Sequence, residues 1–164
     1  MVARQLAGEM TINWIMLKLN LPTYPFKIKS IGERKQIFDE IRKKYVALTP
    51  EEWVRQNFIR YLIHEKQFPA SLIAIEMALQ YNHMKKRGDV VVYDTSGKPV
   101  VIVECKAPDV KITQDAFDQI ARYNMTLRVK YLVVTNGLIH YCCSMDYEKK
   151  SYEFLEEIPL YKNI

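Results

Sequence analysis

The feature that most constrains this fold is a pair of β-branched runs, residues 90–92 and 100–103, around a Ser96-Gly97 turn signal. This pattern is typical of a β-hairpin. Apolar residues occupy both faces of the two strands, as in strands that are buried on both sides of a sheet. We predict that one face holds Val90, Val92, Val101 and Val103, and the other Val91, Tyr93, Val100 and Ile102.

The register of this hairpin brings two acidic residues together. A two-residue Ser96-Gly97 loop pairs Thr95 with Lys98 and, further along, places Asp89 directly opposite Glu104. Opposed side chains on antiparallel strands have Cβ atoms about 5 Å apart, and like charges there are destabilising. We therefore expect a compensating positive charge beside this pair.

Lys106 supplies one such charge, because strand alternation puts it on the face of Glu104 while Cys105 points to the other face. A divalent cation is a second candidate, and carboxylate oxygens favour Mg²⁺ or Mn²⁺ over zinc. The alternative is an exposed hairpin end, in which Lys106 neutralises Glu104 and Asp89 is solvated.

The spacing Asp-x14-Glu-x-Lys, formed by Asp89, Glu104 and Lys106, resembles the active-site signature of the PD-(D/E)XK nuclease superfamily. Gly88 stands where that signature begins with Pro. An ordered set of segments resembles the N-terminal nuclease domain of type I restriction enzyme R subunits, most strongly over residues 49–142. The segments are residues 87–89, 104–108, 119–123 and 131–137.

The resemblance implies an α/β fold with a mixed central β-sheet flanked by helices, a restriction-endonuclease-like core. It also implies a metal-dependent DNA endonuclease, with Mg²⁺ or Mn²⁺ held by Asp89, Glu104 and the backbone carbonyl of Cys105. DNA is the implied substrate, and the motor, specificity and methyltransferase subunits of a restriction complex are the implied partners.

Further catalytic roles are also implied by the resemblance. Lys106 would orient the attacking water, and Gln119 and Tyr123 would position the scissile strand. These two residues lie four positions apart on one predicted helix, where they share a face. Without the resemblance, Tyr123 is a core residue with Gln119 at its border.

A second helix has a well-marked start at Thr49-Pro50-Glu51-Glu52. Thr49 is the predicted N-cap, Pro50 the first helical residue and Glu52 the third, which completes a capping box. In the nuclease superfamily the first helix commonly lends an acid to the metal site. The resemblance makes Glu52 that candidate, with Glu51 behind it, although the capping box already explains Glu52.

The remaining chain predicts a series of strands and one more helix. Glu76 is the single charge of the first of these strands, where it is either an extra acid near the metal or an edge residue. The predictions are a strand at 72–79, a turn at 82–87, a helix at 113–127, strands at 129–135 and 139–144, and an edge strand at 147–155. Residues 1–48 are predicted to be a family-specific extension packed on a nuclease-like domain, 49–164, in one folded unit.

Composition agrees with a small enzyme domain and narrows its partners. The net charge of +5 and a basic tract at residues 27–44 are compatible with a polyanion, although a solvated face also explains such a tract. Three cysteines offer no disulfide framework, which favours the cytoplasm. No phosphate-binding loop occurs, so we expect no ATP-driven motor here. A non-catalytic nucleic-acid-binding or assembly module with the nuclease fold is the alternative function.

Overall fold

The computed structural model describes residues 16–81, 83–125 and 127–164, apart from the side chains of residues 80, 81, 84–87 and 123. These residues form two separate β-sheets and two α-helices. The strands are β1 (Ile28–Ile31), β2 (Arg34–Asp39), β3 (Lys44–Ala47), β4 (Ile73–Tyr81), β5 (Met84–Tyr93), β6 (Pro99–Cys105), β7 (Tyr131–Thr135), β8 (His140–Asp146) and β9 (Ser151–Leu155). The helices are α1 (Pro50–His64) and α2 (Gln114–Met125).

The larger sheet has six strands in the described residues, in the order β4-β5-β6-β7-β8-β9. Only the β6–β7 pair is parallel there, and α2 lies in the connection between these two strands. A parallel pair needs such a crossover, whereas antiparallel neighbours can be joined by short turns. The predicted mixed α/β class with helices beside a central sheet is therefore confirmed.

The central hairpin has the predicted register but a different turn. Val90 pairs with Val103 and Val92 with Val101, as expected, whereas Tyr93 pairs with Pro99 and the register shifts there. The loop is longer than two residues because the Asp94 carboxylate accepts hydrogen bonds from the backbone N–H groups of Ser96 and Lys98. The two-residue turn was therefore a wrong prediction.

The register shift also changes the direction of one side chain. Val100 becomes the extra residue of a bulge, which adds one residue to one strand of a pair. It packs with the cluster on the α1 side, although we predicted the opposite face beside Val91 and Ile102. The other hairpin residues keep the predicted faces, so the bulge alters the turn end and leaves the rest of the ladder in place.

Two apolar clusters cover the two faces of this sheet. The first joins α1 to one face, and the second joins α2 to the other. The α1 cluster includes Val54, Phe58, Leu62, Val90, Val92, Val101 and Val103. The α2 cluster includes Val91, Ile102, Phe117, Ala121, Leu132 and Val134. The buried hairpin is thus fixed between two helices, which determines where its open end lies.

Helix α1 begins at Pro50, as predicted, and the Thr49 hydroxyl accepts a hydrogen bond from the Glu52 backbone N–H at 3.1 Å. The predicted turn at residues 82–87 was wrong for the described part, because β5 begins at Met84 and its polar residues continue the ladder with β4. Asn82 lies outside the described residues. The edge strand begins at Ser151 rather than residue 147, because a turn follows Asp146.

The smaller sheet has the order β1-β2-β3, and both of its pairs are antiparallel. The register puts Ile28, Ile37 and Val46 on one face, where Ile37 is fully buried. The predicted boundary at residue 48 falls between β3 and α1.

Among the described helices, none is both long and apolar enough to cross a membrane.

Candidate active site

Two acids meet at the open end of the central hairpin. The last ladder pair is Val90 with Val103, so the next position in this register sets Asp89 across from Glu104. The Cys105 backbone N–H donates to Asp89 Oδ2 at 2.9 Å. This hydrogen bond from the main chain at the end of β6 holds the Asp89 carboxylate beside the Glu-x-Lys segment.

Lys106 completes this group from the residue after β6. Its backbone N–H donates to the Thr135 carbonyl at 2.8 Å, which continues the parallel pairing with β7. Its Nζ lies 3.4 Å from Glu104 Oε1. The Lys106 side chain is 35% exposed, against 17% for Glu104 and 22% for Asp89. The ammonium group is thus held by a partly buried acid and still faces solvent.

Cys105 lies between these residues but contributes its backbone only. Its side chain is buried in the cluster on the α1 side, as alternation predicts. Burial, together with the negative charge of Asp89, raises the pKa of the Cys105 thiol well above its usual value. A thiol nucleophile needs a lowered pKa and access to substrate, so the thiol chemistry is unsuited to this position.

Arg55 of α1 brings a second cation to the acids, which the sequence reasoning missed. Its guanidinium pairs with Glu52, lies 3.2 Å from Glu51 Oε1 and reaches Asp89 Oδ1 at 3.5 Å. The side chain is only 6% exposed. The spacing of three and four residues from Glu52 and Glu51 was a usable signal, because such pairs are neighbours on a helix.

Glu52 is held in a network of its own. In addition to Arg55, it accepts from Arg42 Nη2 at 2.6 Å and from Gln56 Nε2 at 2.8 Å. Only the Thr49 half of the predicted capping box forms among the described contacts, because the Glu52 carboxylate faces these donors instead. The catalytic role of Glu52 stays a prediction, and the structure gives it a clear part in fixing both arginines.

Glu51 is the helix acid that is coupled electrostatically to the hairpin site. Burial raises the pKa of its carboxyl, and the negative charge of Asp89 raises it further, while Arg55 and Lys106 act in the opposite direction. The side chain is 44% exposed, so its carboxylate is open to a cation from solvent. Of the two acids that begin α1, Glu51 therefore has the better placement beside Asp89.

Glu76 occupies the position in β4 that faces Asp89, because its neighbours Ile75 and Met77 pair with Val90 and Gly88. It has a positive φ of 54°, a conformation that is unfavourable for a residue with a side chain. Its carboxylate lies 3.3 Å from Arg42 Nη1. Glu76 therefore joins the arginine network at the edge strand of the described sheet.

The predicted positioning pair lies on α2. Gln119 is on the exposed side of this helix, and none of its described contacts joins it to the carboxylates. The side chain of Tyr123 lies outside the described residues. Strand alternation puts Glu104 on the same sheet face as Ile102, against which α2 packs. Both roles stay predictions.

The donor chemistry at the hairpin end suits a hard cation. Asp89, Glu104 and Glu51 supply carboxylate oxygens, the ligand type that Mg²⁺ and Mn²⁺ prefer. In the described part of the chain, however, no three metal-ligating side chains already form a cluster. Arg55 lies among these acids, so a metal would have to compete with its guanidinium for Asp89 and Glu51.

Residues 50–159 match the family model described as Type I restriction enzyme R protein N terminus (HSDR_N). The chain belongs to this family. The matched residues of this R-protein N-terminal domain include α1, the hairpin acids and Lys106, whereas β1–β3 precede them.

Among solved structures, a fragment of a putative HsdR subunit of a type I restriction enzyme from Vibrio vulnificus YJ016 is similar to this chain. The two are 21% identical with a TM-score of 0.49, and the match covers 68% of this chain. The chain spans only 24% of that protein's length. None of the curated proteins matches it.

Proposed function

We propose that this chain is a divalent-metal-dependent DNA endonuclease domain of the PD-(D/E)XK type, which hydrolyses phosphodiester bonds. The observation that carries the proposal is the position of Asp89 across from Glu104, with the Lys106 ammonium 3.4 Å from Glu104. Buried strands end at this point and leave the three charged groups partly open to solvent. Family membership supports the same reading, since type I R proteins are components of restriction enzymes.

Asp89, Glu104 and the backbone carbonyl of Cys105 would hold Mg²⁺ or Mn²⁺, and Glu51 is the best-placed additional ligand. When bound, such an ion polarises a phosphoryl oxygen and lowers the pKa of its coordinated water. The raised pKa of Glu51 reflects burial and the repulsion from Asp89 that a cation would relieve. The chemistry of these donors therefore fits a hard metal.

Lys106 is the proposed catalytic cation of the chain itself. Glu104 holds its ammonium in place, and its exposure leaves N–H donors free to meet a phosphate oxygen. A fixed donor that meets charge as it develops stabilises the transition state more than the ground state. Gln119 and Tyr123 would position the scissile strand from α2, in agreement with the family resemblance.

A non-catalytic nucleic-acid-binding or assembly module is the second candidate. It is favoured by Arg55, which already neutralises part of the charge of Glu51 and Asp89. Calorimetric titration with Mg²⁺ and Mn²⁺ separates the two functions. A metal-dependent nuclease requires a divalent-cation site that is lost in Asp89→Ala, whereas a non-catalytic binding module requires no such site.

The test of activity is nicking of supercoiled plasmid by wild-type protein with Mg²⁺, Mn²⁺ or EDTA. Asp89→Ala is compared with Asp94→Ala, which removes an aspartate carboxylate at the other end of the hairpin. We expect metal-dependent nicking that is lost in Asp89→Ala and kept in Asp94→Ala. Nicking that survives Asp89→Ala would contradict the site, and its absence from metal-binding wild-type protein would point to missing partner subunits.

We further propose that the domain works in a restriction complex beside motor, specificity and methyltransferase subunits, and that it is cytoplasmic. Family membership supports the complex, because R proteins are subunits of type I restriction enzymes. The free, buried thiols of Cys105, Cys142 and Cys143 suit a reducing compartment.

A further inference from the structure

The outer face of the three-stranded sheet has an unusual composition. Directly opposed residues on antiparallel strands share a face, so the register of β1, β2 and β3 determines its members. They are Lys29, Ile31, Arg34, Gln36, Phe38, Tyr45 and Ala47, with Lys27 extending β1 opposite Phe38. The opposite face carries Ile37 and Asp39, which are both fully buried, and Asp39 contacts Gln56 of α1.

Two aromatic rings lie side by side at the centre of this face. Phe38 and Tyr45 are a cross-strand pair with ring centroids 5.2 Å apart and an interplanar angle of 64°. Each ring has a lysine above it, since Lys29 Nζ is 3.9 Å from the Tyr45 centroid and Lys27 Nζ is 5.6 Å from that of Phe38. Flexible cations and half-buried rings therefore form one continuous platform.

The outer face itself has no carboxylate among its described residues. Asp39 points to the inner side, where it accepts hydrogen bonds from Arg42 and Gln56. Glu40 pairs with Arg60 of α1 at 2.6 Å, and Glu33 belongs to the turn between β1 and β2. Lys27, Lys29 and Arg34 thus give this face a net positive charge. Its potential is complementary to a polyanion.

We propose that this outer face binds single-stranded DNA. Exposed bases would displace the Lys27 and Lys29 ammonium groups from the rings of Phe38 and Tyr45 and stack there. The two displaced lysines, together with Arg34, would contact the phosphates. Sheet faces that combine aromatic rings with cations bind single strands in this way. Duplex DNA keeps its bases paired and stacked, so the rings would contribute nothing to it.

The charge pattern favours nucleic acid over a protein partner, because lysine is depleted from the centres of protein interfaces. The surface lies before the family-matched residues 50–159, so it adds a binding site separate from the hairpin acids. The choice of DNA over RNA rests on the proposed nuclease function, whereas the stacking platform does not depend on it.

The first test measures fluorescence anisotropy of a labelled oligothymidylate with the full chain in EDTA, which keeps the nuclease site out of the measurement. We expect Phe38→Leu with Tyr45→Leu to bind at least about tenfold more weakly than wild type, because base stacking on aromatic rings is lost. Phe154→Leu is the matched control, since Phe154 is 44% exposed on β9 of the other sheet. It should bind like wild type.

The second test replaces only charges. A variant with Lys27→Gln, Lys29→Gln and Arg34→Gln should lower the slope of log K against log salt by about 2, since each phosphate contact contributes roughly 0.7 for single strands. Lys98→Gln with Lys149→Gln, both exposed in turns that join strands of the larger sheet, should leave the slope unchanged. The variant of Lys27, Lys29 and Arg34 also keeps the proposal testable if removal of the rings unfolds the small sheet, which circular dichroism would show.

The outcomes separate this inference from the nuclease proposal. If the ring and charge substitutions weaken single-strand binding both in wild type and in Asp89→Ala, the proposed binding surface is supported, whether or not plasmid is nicked. Absence of binding by folded wild-type protein would overturn the inference, as would equal loss in the Phe154 and Lys98 controls. Equal affinity for duplex DNA would contradict the stacking role, and tighter binding of oligouridylate would contradict the choice of DNA.

Discussion

The two ends of the β5–β6 hairpin each hold an aspartate, and the two carboxylates have opposite kinds of surroundings. Asp94 at the turn end accepts from the Ser96 N–H at 2.8 Å, the Ser96 hydroxyl at 2.7 Å and the Lys98 N–H at 2.9 Å. Asp89 at the open end contacts Cys105 and Arg55, which are 16 and 34 residues away in the chain. One aspartate organises its own turn, and the other joins separate elements.

This difference separates a structural carboxylate from a candidate functional one. The hydrogen bonds from Ser96 and Lys98 all end on Asp94 Oδ1 and lower the pKa of Asp94. Asp89 instead lies near Glu104 and Glu51, where like charges gather and the positive charges of Arg55 and Lys106 oppose them. Such concentrations of charge cost stability, and functional sites are where proteins commonly retain them. The four variants below test this contrast.

Lys106→Ala should give the largest effect. We expect the metal-dependent nicking rate to fall by about 100-fold or more, because a donor that stabilises the charge of the transition state is removed. Lys98→Ala, at the turn end of the same hairpin, is the matched control and should nick at the wild-type rate. Initial rates of plasmid nicking in Mg²⁺ measure both.

Binding of plasmid by Lys106→Ala should persist, since one phosphate contact is a small part of the affinity of a basic protein. An unchanged nicking rate in this variant would remove Lys106 from the catalytic assignment. An equal loss in Lys98→Ala would show that the two ends of the hairpin do not differ in function.

The contrast also explains which parts of the structure the sequence could predict. We derived the hairpin register from a two-residue Ser96-Gly97 loop, and the Val90–Val103 and Val92–Val101 pairs confirm it because the extra residue Val100 offsets the longer loop. The turn failed because the Asp94 carboxylate competes for backbone donors and favours a longer loop, which also redirected Val100. The pattern of apolar residues thus predicts the strands, whereas side-chain hydrogen bonds to the backbone determine the turn.

Apart from the pairing of Arg55 with Glu51 and Glu52, the acidic site required contacts that no local pattern contains. The start of α1 was predictable from Thr49 and Pro50, and the position of Glu51 beside Asp89 was not, because it depends on how the helix packs on the sheet. The same holds for Arg42, which reaches Glu52 from the small sheet. Sequence reasoning thus found the hairpin residues and missed the arginines that bind the helix acids.

Arg55→Gln tests the cation that lies among the long-range acids. We expect the free energy of unfolding in EDTA to fall by about 3 kcal/mol, because loss of a buried ion-pair partner leaves carboxylates uncompensated. Metal affinity should rise in the same variant, since Asp89 and Glu51 lose a competing positive charge. Urea unfolding and Mn²⁺ calorimetry measure the two effects.

Arg60→Gln is the control on the same helix, where Arg60 pairs with Glu40, an acid that is 49% exposed. Exposed pairs are worth about 1 kcal/mol or less, so this variant should lose little stability and keep its metal affinity. Weaker metal binding by Arg55→Gln would mean that Arg55 positions the acids for the ion rather than competing with it.

Glu51→Gln tests the raised pKa of the helix acid. Folding raises the pKa of the Glu51 carboxyl, so its protonated form stabilises the folded state. This contribution is complete below the pKa of the unfolded chain and is lost as the pH rises through the pKa of the folded protein. At pH 7 without metal, we therefore expect Glu51→Gln to be slightly more stable than wild type, by at most about 0.5 kcal/mol after solvent screening. The difference should vanish in acid. Thermal unfolding between pH 3 and pH 8 would contradict this coupling if the two curves were parallel.

Asp94→Ala should give the smallest effect and the opposite pH dependence. The lowered pKa of Asp94 means that its contribution to stability is present above the unfolded pKa and is lost as the pH falls through the folded pKa. We expect a small decrease of the unfolding midpoint at pH 7 that disappears in acid, with the nicking rate unchanged within about twofold. A large loss of nicking in a folded Asp94→Ala protein would mean that the turn controls the register on which Asp89 and Glu104 depend. Asp94 and Asp89 would then affect the same site through the pairing of the hairpin strands, and they would not have separate roles.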